Sequence, residues 1–333
     1  MNLGILFGGN SVEHEISIVT AYSLKKRLML RYDISMLYID FDNNLFIADK
    51  MSFDDFKNNN YKKLKKTNFI NGGIKKRKID CMIISTHGEN SEDGICAALC
   101  RYYNISYVGS NLLASSISMD KYATYNYLKG FDINLIDTYK YDYDDYINDI
   151  KLNIFPCIIK PRHGGSSIGI NVCKNDNEFF EKIIDSLSIE KELIIQPFIN
   201  EISEYNMAFY HNGNSRLERI DSKDEFFSFN NKYNESFKIM HQSIMDKKLE
   251  QRFVDVGRRV YAALGCKGII RIDFFLIDNE IYINEINTIP GALAMYLFDD
   301  FDKAIDSCIN SAILDKSYKY SKGNFLTKST ISK

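Results

Sequence analysis

The chain has 333 residues, of which 45% are hydrophobic and 13% aromatic, so it is long enough to fold as two or three domains. Its formal net charge of -2 provides no basic field for nucleic acid, and no apolar run approaches the roughly 20 residues of a membrane span. No nucleic-acid or membrane partner is therefore expected. The first residues, MNLGILFGG, lack the basic region of a signal peptide, which favours a cytoplasmic protein.

The cysteines and histidines give no sign of a metal or disulfide framework. The seven cysteines include no Cys-x-x-Cys pair, and the five histidines form no metal-spaced cluster. Cys96 and Cys100 lie about one turn apart on a predicted helix and are interpreted as small buried hydrophobic side chains. Transition-metal chemistry is not expected.

The first part of the chain contains three apolar runs, NLGILF, DISMLYI and IDCMIIST, separated by helix-length segments. This alternation is typical of a parallel sheet with crossover helices and predicts an open α/β domain. A single helix is then predicted over LLASSISMDKYATYNYLKG, ending at Gly130. The aromatic and acidic YKYDYDDY that follows predicts a connection or an exposed edge strand, and with it a domain boundary.

Strands predominate from Ile158 onward. They are LIIQPFI, EYNMAFYHNG and a pair within GIIRIDFFLIDNEIYINEI, while helices are predicted near Glu178 and from Lys248 to Leu264. The predicted fold class is therefore α/β, with α+β character in the C-terminal half.

The segment IIKPRHGGSSIGI, residues 158–170, is rich in glycines and hydrogen-bond donors. Strand residues enter it and IGINV leaves it, so we expect a strand-loop-strand hairpin. Ser167 formally matches the Gly-x-Ser-x-Gly nucleophile elbow of hydrolases, but that elbow needs a helix after the serine. A hairpin with exposed N–H groups, two hydroxyls and Lys160 at its base can instead cover a polyphosphate. An ordinary glycine-rich turn is the other interpretation.

The segment GIIRIDFFLIDNEIYINEIN predicts two paired strands with acids at regular positions. Alternation places two sets of residues on one face each, Ile269, Arg271, Asp273, Phe275 and Ile277 in the first strand, and Ile281, Ile283, Glu285 and Asn287 in the second. A three-residue loop, Asp278 to Glu280, would pair Asp273 with Glu285, whereas a two-residue loop would separate the two acids. In the paired register the oxygens suit Mg²⁺. A charged solvent face is the alternative.

A hairpin that covers phosphate and a strand pair that holds magnesium together indicate ATP chemistry. The chain also contains, in this order, LFGGNSVEHEIS, STHGENSEDG, YVGSNLLASSISMDK, IIKPRHGGSSIG, EYNMA, FFSFNNKY, RIDFF and NEINTIPG. With these motifs it resembles, over nearly its whole length, the ATP-grasp ligases and among them the D-alanine:D-alanine ligases. The resemblance implies an ATP-grasp fold with an N-terminal substrate-binding domain (1–113), a central ATP-grasp subdomain (114–196) and a C-terminal ATP-grasp subdomain (197–333).

The resemblance implies roles for residues at the matching positions. The implied catalytic residues are Glu15, Ser166, Tyr233, Arg271 and Gly291. Glu15 matches the carboxylate that holds the ammonium of the first D-alanine, and Ser166 and Tyr233 match groups hydrogen-bonded with it. Arg271 and the backbone of Gly291 match groups that stabilise the tetrahedral intermediate. The implied substrate-binding residues are His87 and Tyr296.

The implied ATP-binding residues are Lys121, Lys160, Ser167, Gln196, Glu204 and Lys232. The three lysines match phosphate ligands, and the third belongs to the candidate lid DSKDEFFSFNNKYNES. Gln196 lies on the adenine-contacting strand, where glutamate was expected, and Glu204 matches a ribose ligand. The implied ligands of Mg²⁺, with Mn²⁺ as an alternative ion, are Asp273, Glu285 and Asn287.

The implied reaction begins with phosphorylation of one D-alanine carboxylate by ATP, after which a second D-alanine attacks the acyl phosphate. The product, D-alanyl-D-alanine, serves peptidoglycan synthesis. Tyr296 stands where familiar members carry a serine that binds the second substrate. D-Alanine is still the expected acceptor, because the Lys232-Tyr233 pair resembles dipeptide-forming ligases. D-Serine or D-lactate as acceptor, and a non-catalytic ATP-binding relative, are the alternatives. The family also implies a homodimer as a further prediction.

Overall fold

A computed structural model shows the architecture and describes residues 1–148, 150, 153–165, 168–220 and 247–315. The strands in these ranges are β1 (Asn2–Gly8), β2 (Asp33–Ile39), β3 (Leu45–Ile47), β4 (Lys65–Lys66), β5 (Phe69–Ile70), β6 (Gly73–Ile74), β7 (Arg77–Lys78), β8 (Cys81–Ile84), β9 (Ser106–Val108), β10 (Asn134–Leu135), β11 (Tyr139–Asp142), β12 (Cys157–Pro161), β13 (Asn171–Cys173), β14 (Glu192–Pro197), β15 (Ser203–Tyr210), β16 (Gly213–Asn214), β17 (Glu218–Ile220), β18 (Ile270–Ile277) and β19 (Glu280–Asn287). The helices are α1 (His14–Leu28), α2 (Phe53–Lys57), α3 (Ile95–Tyr102), α4 (Leu112–Met119), α5 (Lys121–Leu128), α6 (Tyr143–Ile147), α7 (Asp176–Ile189), α8 (Lys247–Leu264) and α9 (Phe301–Leu314), and a 3₁₀ helix spans Gly291–Leu297.

The first sheet has the strand order β4-β3-β2-β1-β8-β9. β1 runs parallel to β2 and β8, and β8 runs parallel to β9, while β3 and β4 form an antiparallel edge. Leu3, Ile5, Leu6 and Phe7 of β1 are fully buried, as expected for a central strand that is covered on both faces. The predicted open parallel α/β arrangement is confirmed.

Helix α1 connects β1 to β2 and packs on this sheet. It buries Ile18, Ala21, Leu24 and Leu28, which are spaced three and four residues apart as on one helical face. Polar contacts fix its first turn to the end of β1, since the Ser17 hydroxyl accepts the N–H of Gly8 at 2.8 Å. The start of α1 is therefore held at the carboxyl end of β1, where parallel sheets commonly place their sites.

The second sheet has the order β11-β14-β12-β13, and β12 and β13 form the predicted hairpin. Cys157 pairs with Cys173 and Ile159 pairs with Asn171, so the glycine-rich segment connects two antiparallel strands. Because a strand follows this segment, the helix that a nucleophile elbow requires is absent here, and the hydrolase interpretation is wrong. β11 lies at the sheet edge, which confirms the edge-strand prediction for its tyrosine-rich sequence.

The single helix predicted after the first sheet is wrong, because two helices, α4 and α5, meet at Asp120. Asp120 has an extended backbone, with φ -92° and ψ 105°, and its side chain accepts the N–H of Ala123 at 2.9 Å. An aspartate that caps a new helix satisfies an N–H that the helix start would otherwise leave unpaired. The break places Lys121 in the first turn of α5.

The third sheet has the order β10-β19-β18-β15-β16, with β17 also paired to β15. A two-residue turn joins β18 to β19, since Ile277 pairs with Glu280. Asp278 and Asn279 have φ values of 49° and 65°, the left-handed backbone that a type I′ turn requires. The three-residue loop assumed from the sequence is therefore wrong.

A β-bulge restores the pairing that this shorter turn would have lost. Phe274 pairs with Ile283, but Asp273 pairs with Glu285, so Asn284 is the extra residue of β19. The predicted pairing of Asp273 with Glu285 is confirmed. The prediction that Ile281 and Ile283 share a face with Glu285 is wrong, because both isoleucines are buried in the core beneath the sheet.

The helices predicted near Glu178 and from Lys248 to Leu264 are confirmed as α7 and α8. Phe253 of α8 packs edge-on against Phe274 of the third sheet, with the ring centroids 5.3 Å apart. Helix α9 instead packs on the first sheet, where Phe301 and Ile305 join the core of β1 and β8. The boundaries at residues 113 and 196 stay a prediction. No helix in the described ranges is long and apolar enough to cross a membrane.

Candidate active site

The strand pair β18–β19 brings the three residues predicted to bind magnesium together. Asp273 lies opposite Glu285, and Asn287 lies opposite Arg271 one pair further along the same face. The Nδ2 atom of Asn287 donates to Asp273 Oδ2 at 3.3 Å. Arg271 donates two hydrogen bonds to the same carboxylate, from Nε to Oδ1 at 2.6 Å and from Nη2 to Oδ2 at 2.8 Å. Two carboxylates and an amide thus converge beside a guanidinium.

The environment of Arg271 keeps this group charged. Burial alone would lower the pKa of Arg271, but the Asp273 carboxylate, with Tyr296 and Glu285 nearby, raises that pKa well above its ordinary value. Each carboxylate oxygen has two lone pairs, so Asp273 can accept from Arg271 and still bind a cation. The donor set is all oxygen and partly buried, which suits Mg²⁺ better than a softer metal.

The glycine-rich hairpin faces this acidic set. A Cβ atom placed on Gly165 would lie 4.0 Å from Oε1 of Glu285, so the bare backbone approaches the carboxylate closely. The ammonium of Lys121 donates to the carbonyl oxygen of Gly164 at 2.6 Å. Lys160 lies on β12, at the entry to the same hairpin. Two of the predicted phosphate-binding lysines and the hairpin backbone therefore occupy one region.

His87 forms a buried hydrogen-bonded chain between three distant segments. Its Nδ1 lies 2.9 Å from the carbonyl oxygen of Ile289, and its Nε2 lies 3.0 Å from the hydroxyl of Thr20, which also accepts the N–H of Ala292 at 3.1 Å. Because a carbonyl only accepts, Nδ1 carries the proton and Nε2 accepts from Thr20. The arrangement gives both ring nitrogens of His87 a partner and joins α1 and the loop after β8 to the segment after β19.

Two acids complete a pocket with His87. One ligand atom from each of Glu13, His87 and Glu92 lies within 4.8 Å of the others. Both ring nitrogens of His87 are already engaged, so this trio is a poor transition-metal site. The two carboxylates beside this imidazole form an acidic pocket suited to an ammonium group.

Glu92 has a shifted pKa. Burial raises the pKa of the Glu92 carboxyl, the nearby His87 ring at 3.6 Å lowers it, and the negative charges of Glu13 and Glu285 raise it further, with a net rise. The hydroxyl of Thr288, the residue after Asn287, donates to the carbonyl oxygen of Glu92 at 3.4 Å, so the acid pocket and the predicted magnesium ligands are neighbours.

Comparison with known proteins decides the family. The family models for the D-ala D-ala ligase N-terminus and C-terminus match residues 2–110 and 135–304. A D-alanine--D-alanine ligase from Campylobacter lari is 35% identical over 96% of this chain and 95% of its own. A second, from Campylobacter jejuni, is 36% identical over 98% of this chain and 97% of its own. The chain belongs to the D-alanine–D-alanine ligase family.

The predicted ATP-grasp fold of this ligase family is confirmed as well. The crystal structure of a D-alanine-D-alanine ligase from Helicobacter pylori superposes with a TM-score of 0.80 at 31% identity, covering 93% of this chain and 98% of that chain. The resemblance stated from the motifs is therefore confirmed along nearly the whole length.

The start of α1 in this family member separates two candidate acids. Glu15 is exposed on the outer side of α1, whereas Glu13 lies with His87 and Glu92. The structure thus does not bring Glu15 to the pocket, for which we propose Glu13. Sequence reasoning missed Glu13, Glu92 and Thr20, although both acids lie inside quoted motifs. The motif EHE contains two acids separated by one residue, and the sequence does not show which way each acid faces at the start of the helix. The sequence alone therefore could not decide which acid lies in the pocket.

The 3₁₀ helix that begins at Gly291 has an unusual backbone. Ala292, Leu293 and Ala294 have φ values of 49°, 48° and 52°, a left-handed turn that residues with a Cβ rarely adopt. This turn brings Tyr296 to Arg271. Burial raises the pKa of Tyr296, and the Arg271 cation, which hydrogen-bonds its hydroxyl, opposes that rise.

The remaining predicted site residues lie on other strands or outside the residues that the structure describes. Gln196 is on β14 and its amide donates to the Thr138 hydroxyl at 2.9 Å, while Glu204 is on β15 opposite Phe275. Four predicted residues lie outside the described ranges, namely Ser166, Ser167, Lys232 and Tyr233. Their roles stay predictions.

Proposed function

We propose that this chain is an ATP-dependent ligase that joins two D-alanine molecules to D-alanyl-D-alanine for peptidoglycan precursor synthesis. The observation that carries this proposal is the position of the Asp273–Glu285 pair, opposite the glycine hairpin and beside the acid pocket of Glu13 and Glu92. Membership of the family implies ATP as the co-substrate. Phosphate groups, a divalent cation and an amino acid ammonium each have complementary side chains in adjoining regions.

The first step transfers the γ-phosphoryl group to the carboxylate of one D-alanine. Asp273, Glu285 and Asn287 would hold Mg²⁺, which when bound offsets the negative charge of the phosphates. Lys121, Lys160 and the hairpin backbone bind the phosphate oxygens, and the acid pocket binds the ammonium of the substrate. The reacting carboxylate is thereby held while its charge is compensated.

The second step forms the peptide bond. The amine of the second D-alanine attacks the acyl phosphate and gives a tetrahedral intermediate, whose oxyanion is stabilised by Arg271 and the N–H of Gly291. Loss of phosphate completes the dipeptide. Tyr296, held beside Arg271, replaces the serine of familiar members as the candidate partner of the acceptor carboxylate. D-Alanine is the proposed acceptor.

The experiment that tests this function is phosphate release from ATP and Mg²⁺ with D-alanine, with L-alanine as control and the product identified by mass. Dipeptide formed only from the D-enantiomer supports the proposal. Preferred use of D-serine or D-lactate would replace the acceptor, and ATP binding without release would favour the non-catalytic alternative.

Two substitutions test the roles within the site. Lys160→Ala and Glu285→Ala are each expected to reduce ADP formation by about a hundredfold or more, because each removes charge that the transferring phosphoryl group requires. Circular dichroism checks that the fold is retained. Lys129→Ala and Glu280→Ala, at exposed positions, are the matched controls and should retain activity. Ordinary turnover in either site variant would overturn the assignment.

Two broader expectations from the family complete the proposal. We propose a homodimer, tested by light scattering of the purified chain, and a cytoplasmic location, tested by fractionation of cells that express it. A monomer throughout the concentration range, or recovery with the membrane, would contradict them.

A further inference from the structure

His163 lies at the root of the glycine hairpin between acids from two helices. Its Nδ1 lies 2.5 Å from Oε1 of Glu190, which follows α7, and its Nε2 lies 3.6 Å from Oδ2 of Asp120, the cap of α5. Glu190 Oε2 also accepts the backbone N–H of His163 at 3.0 Å. The side chain is 41% exposed, so solvent protons reach it. One imidazole thus bridges two acids on separate elements.

The neighbouring contacts show that this root is rich in charge. Arg162 donates two hydrogen bonds to the Asp120 carboxylate, from Nε at 2.9 Å and from Nη2 at 2.6 Å. Its Nη1 donates to Oε1 of Glu192 at 2.7 Å. The N–H of Lys121 donates to the carbonyl of Arg162 at 3.0 Å. The hairpin is therefore attached to α5 and β14 through Arg162. It is attached to α7 through the contacts of His163 with Glu190 and through the Ser186 hydroxyl, which donates to the carbonyl oxygen of Gly169 at 3.0 Å.

The balance of charge at the root depends on His163. Three carboxylates, from Asp120, Glu190 and Glu192, surround Arg162 and His163. Lys121 contacts the hairpin at Gly164, and Lys140 reaches Glu192 at 3.7 Å. If His163 is neutral, its two acids lose one compensating cation close to a loop that has to receive polyphosphate. If His163 is protonated, it neutralises that charge, with Nδ1 donating to Glu190 and Nε2 forming an ion pair with Asp120 at 3.6 Å.

We propose that protonated His163 is a positioning residue for the phosphates of ATP, because it ties the glycine hairpin to Asp120 and Glu190. It acts through the hairpin backbone and Lys121 and does not touch the reacting atoms. The inference rests on the proposed function for the identity of the nucleotide site. Neutral His163 keeps its backbone contact with Glu190 but loses the charge that pairs with Asp120 and Glu190, which weakens nucleotide binding.

The direction of the pH dependence follows from the contacts. The hydrogen bond with Glu190 raises the pKa of His163 above its ordinary value of 6.5, burial opposes this, and Asp120 adds to the rise while Arg162 counters it. A raised pKa means that the ion pairs of His163 are fully present below the ordinary value and are lost as pH rises through the raised value. ATP affinity should therefore fall on going to alkaline pH.

The test is titration calorimetry of the whole chain with ATP and Mg²⁺, without D-alanine, from about pH 6 to about pH 9. We expect the wild-type affinity to fall roughly two- to fivefold across this range, the effect that a partly exposed charge pair can have. His163→Gln should show the weaker affinity throughout and a flatter profile. His163→Arg, a permanent cation, should keep the tighter affinity at the alkaline end.

Two further variants sharpen the test. Glu190→Gln keeps an acceptor for the backbone N–H but removes the charge, so the fall in affinity should shift to lower pH. His211→Gln, at an exposed histidine on the turn between β15 and β16, is the matched control and should follow the wild type.

Either of two results would overturn the proposal. One is a His163→Gln variant with wild-type affinity and slope. The other is equal loss in the Gln and Arg variants together with a lower melting temperature, which would show a merely structural role. D-Alanine-dependent phosphate release by the wild type is measured separately, so that failure of the ligase function is distinguished from failure of this inference.

Discussion

Glu13 and Glu15 stand on either side of His14 at the start of α1, and only Glu13 reaches the pocket of His87. Successive residues of a helix are about 100° apart around the axis, so two acids separated by one residue point to nearly opposite sides. His14 is itself buried, with its Nδ1 2.6 Å from the carbonyl oxygen of Gly9. Because the His14 side chain points into the protein, the position of His14 determines which of the two acids faces the pocket.

A pair of substitutions separates the two acids. Glu13→Gln should lower kcat/KM for D-alanine by about tenfold or more, because it removes a partly buried charge that faces the substrate ammonium. Glu15→Gln, which is isosteric and exposed, should change the same constant by less than about twofold. Steady-state phosphate release over a D-alanine series measures both. The reverse order of effects would return the role to Glu15.

The acid pocket also predicts a pH dependence. Since the pKa of Glu92 is raised above its ordinary value of 4.5, the carboxylate that binds an ammonium forms only as pH rises through that raised value. The KM for D-alanine should therefore fall with rising pH in the acidic range. Glu92→Gln should raise KM and reduce this slope, whereas Glu89→Gln, an exposed acid in the same loop, should not. Equal slopes in all three proteins would contradict the role of Glu92.

The left-handed turn after Gly291 is the element most at odds with local preference. Three residues with positive φ in succession cost about 1–2 kcal/mol each in backbone strain. Two hydrogen bonds stabilise the turn. The N–H of Ala292 donates to the Thr20 hydroxyl, and the N–H of Leu293 donates to the carbonyl oxygen of Pro290 at 2.7 Å. This strained turn brings Tyr296 to Arg271. The backbone strain therefore serves the candidate site.

Substitution of Ala292 measures this strain. Ala292→Gly should raise the free energy of unfolding by up to about 1 kcal/mol, and Ala292→Val should lower it by about 1–3 kcal/mol, because a β-branched side chain tolerates positive φ poorly. Urea denaturation followed by circular dichroism provides both values. Ala98→Gly, within helix α3, should have the opposite sign to Ala292→Gly. If both glycine variants were destabilised alike, the turn would not be strained.

The hairpin β18–β19 shows how two local features combine within one element. Its type I′ turn alone would place Asp273 and Glu285 on opposite faces, and the bulge at Asn284 returns them to one face. Isoleucines on the core side of both strands favour this arrangement, because burial of Ile272, Ile283 and Ile286 outweighs one missing ladder contact.

At the scale of the whole molecule, α9, the last described helix, packs on the first sheet of the chain. Phe301 of α9 is 1% exposed within the core of the first sheet, and the Arg27 guanidinium lies 5.6 Å from its ring centroid. Ion pairs of Arg27 and Arg31 with Asp302 border this contact, but these charges are partly exposed and contribute little. Burial of α9 therefore links the two ends of the described chain.

Truncation of this contact tests the link. Phe301→Ala should lower the free energy of unfolding by about 3–5 kcal/mol, because it leaves a cavity in a shared core. Phe131→Ala, at a ring that is 43% exposed, should cost less than about 1 kcal/mol. Urea midpoints for both variants decide the matter. A small loss for Phe301→Ala would mean that α9 is peripheral to the stability of the first sheet.

The parallel α/β pattern of the first sheet, the glycine hairpin and the resemblance to the ligase family followed from the sequence, because periodicity and ordered motifs are local properties of the chain. The split at Asp120 was visible in principle, since aspartate is a common helix cap, but no glycine or proline marks the break in the sequence.

Only the tertiary structure decided which side chains meet. Thr20, His87 and Ala292 form one hydrogen-bonded chain although long stretches of sequence separate them, and the choice of Glu13 depends on how α1 docks on β1. The pairing of Asp273 with Glu285 likewise needed a bulge that no alternation pattern records. Contacts of this kind arise from packing between distant segments, whose geometry depends on every intervening element, so no local pattern can specify them.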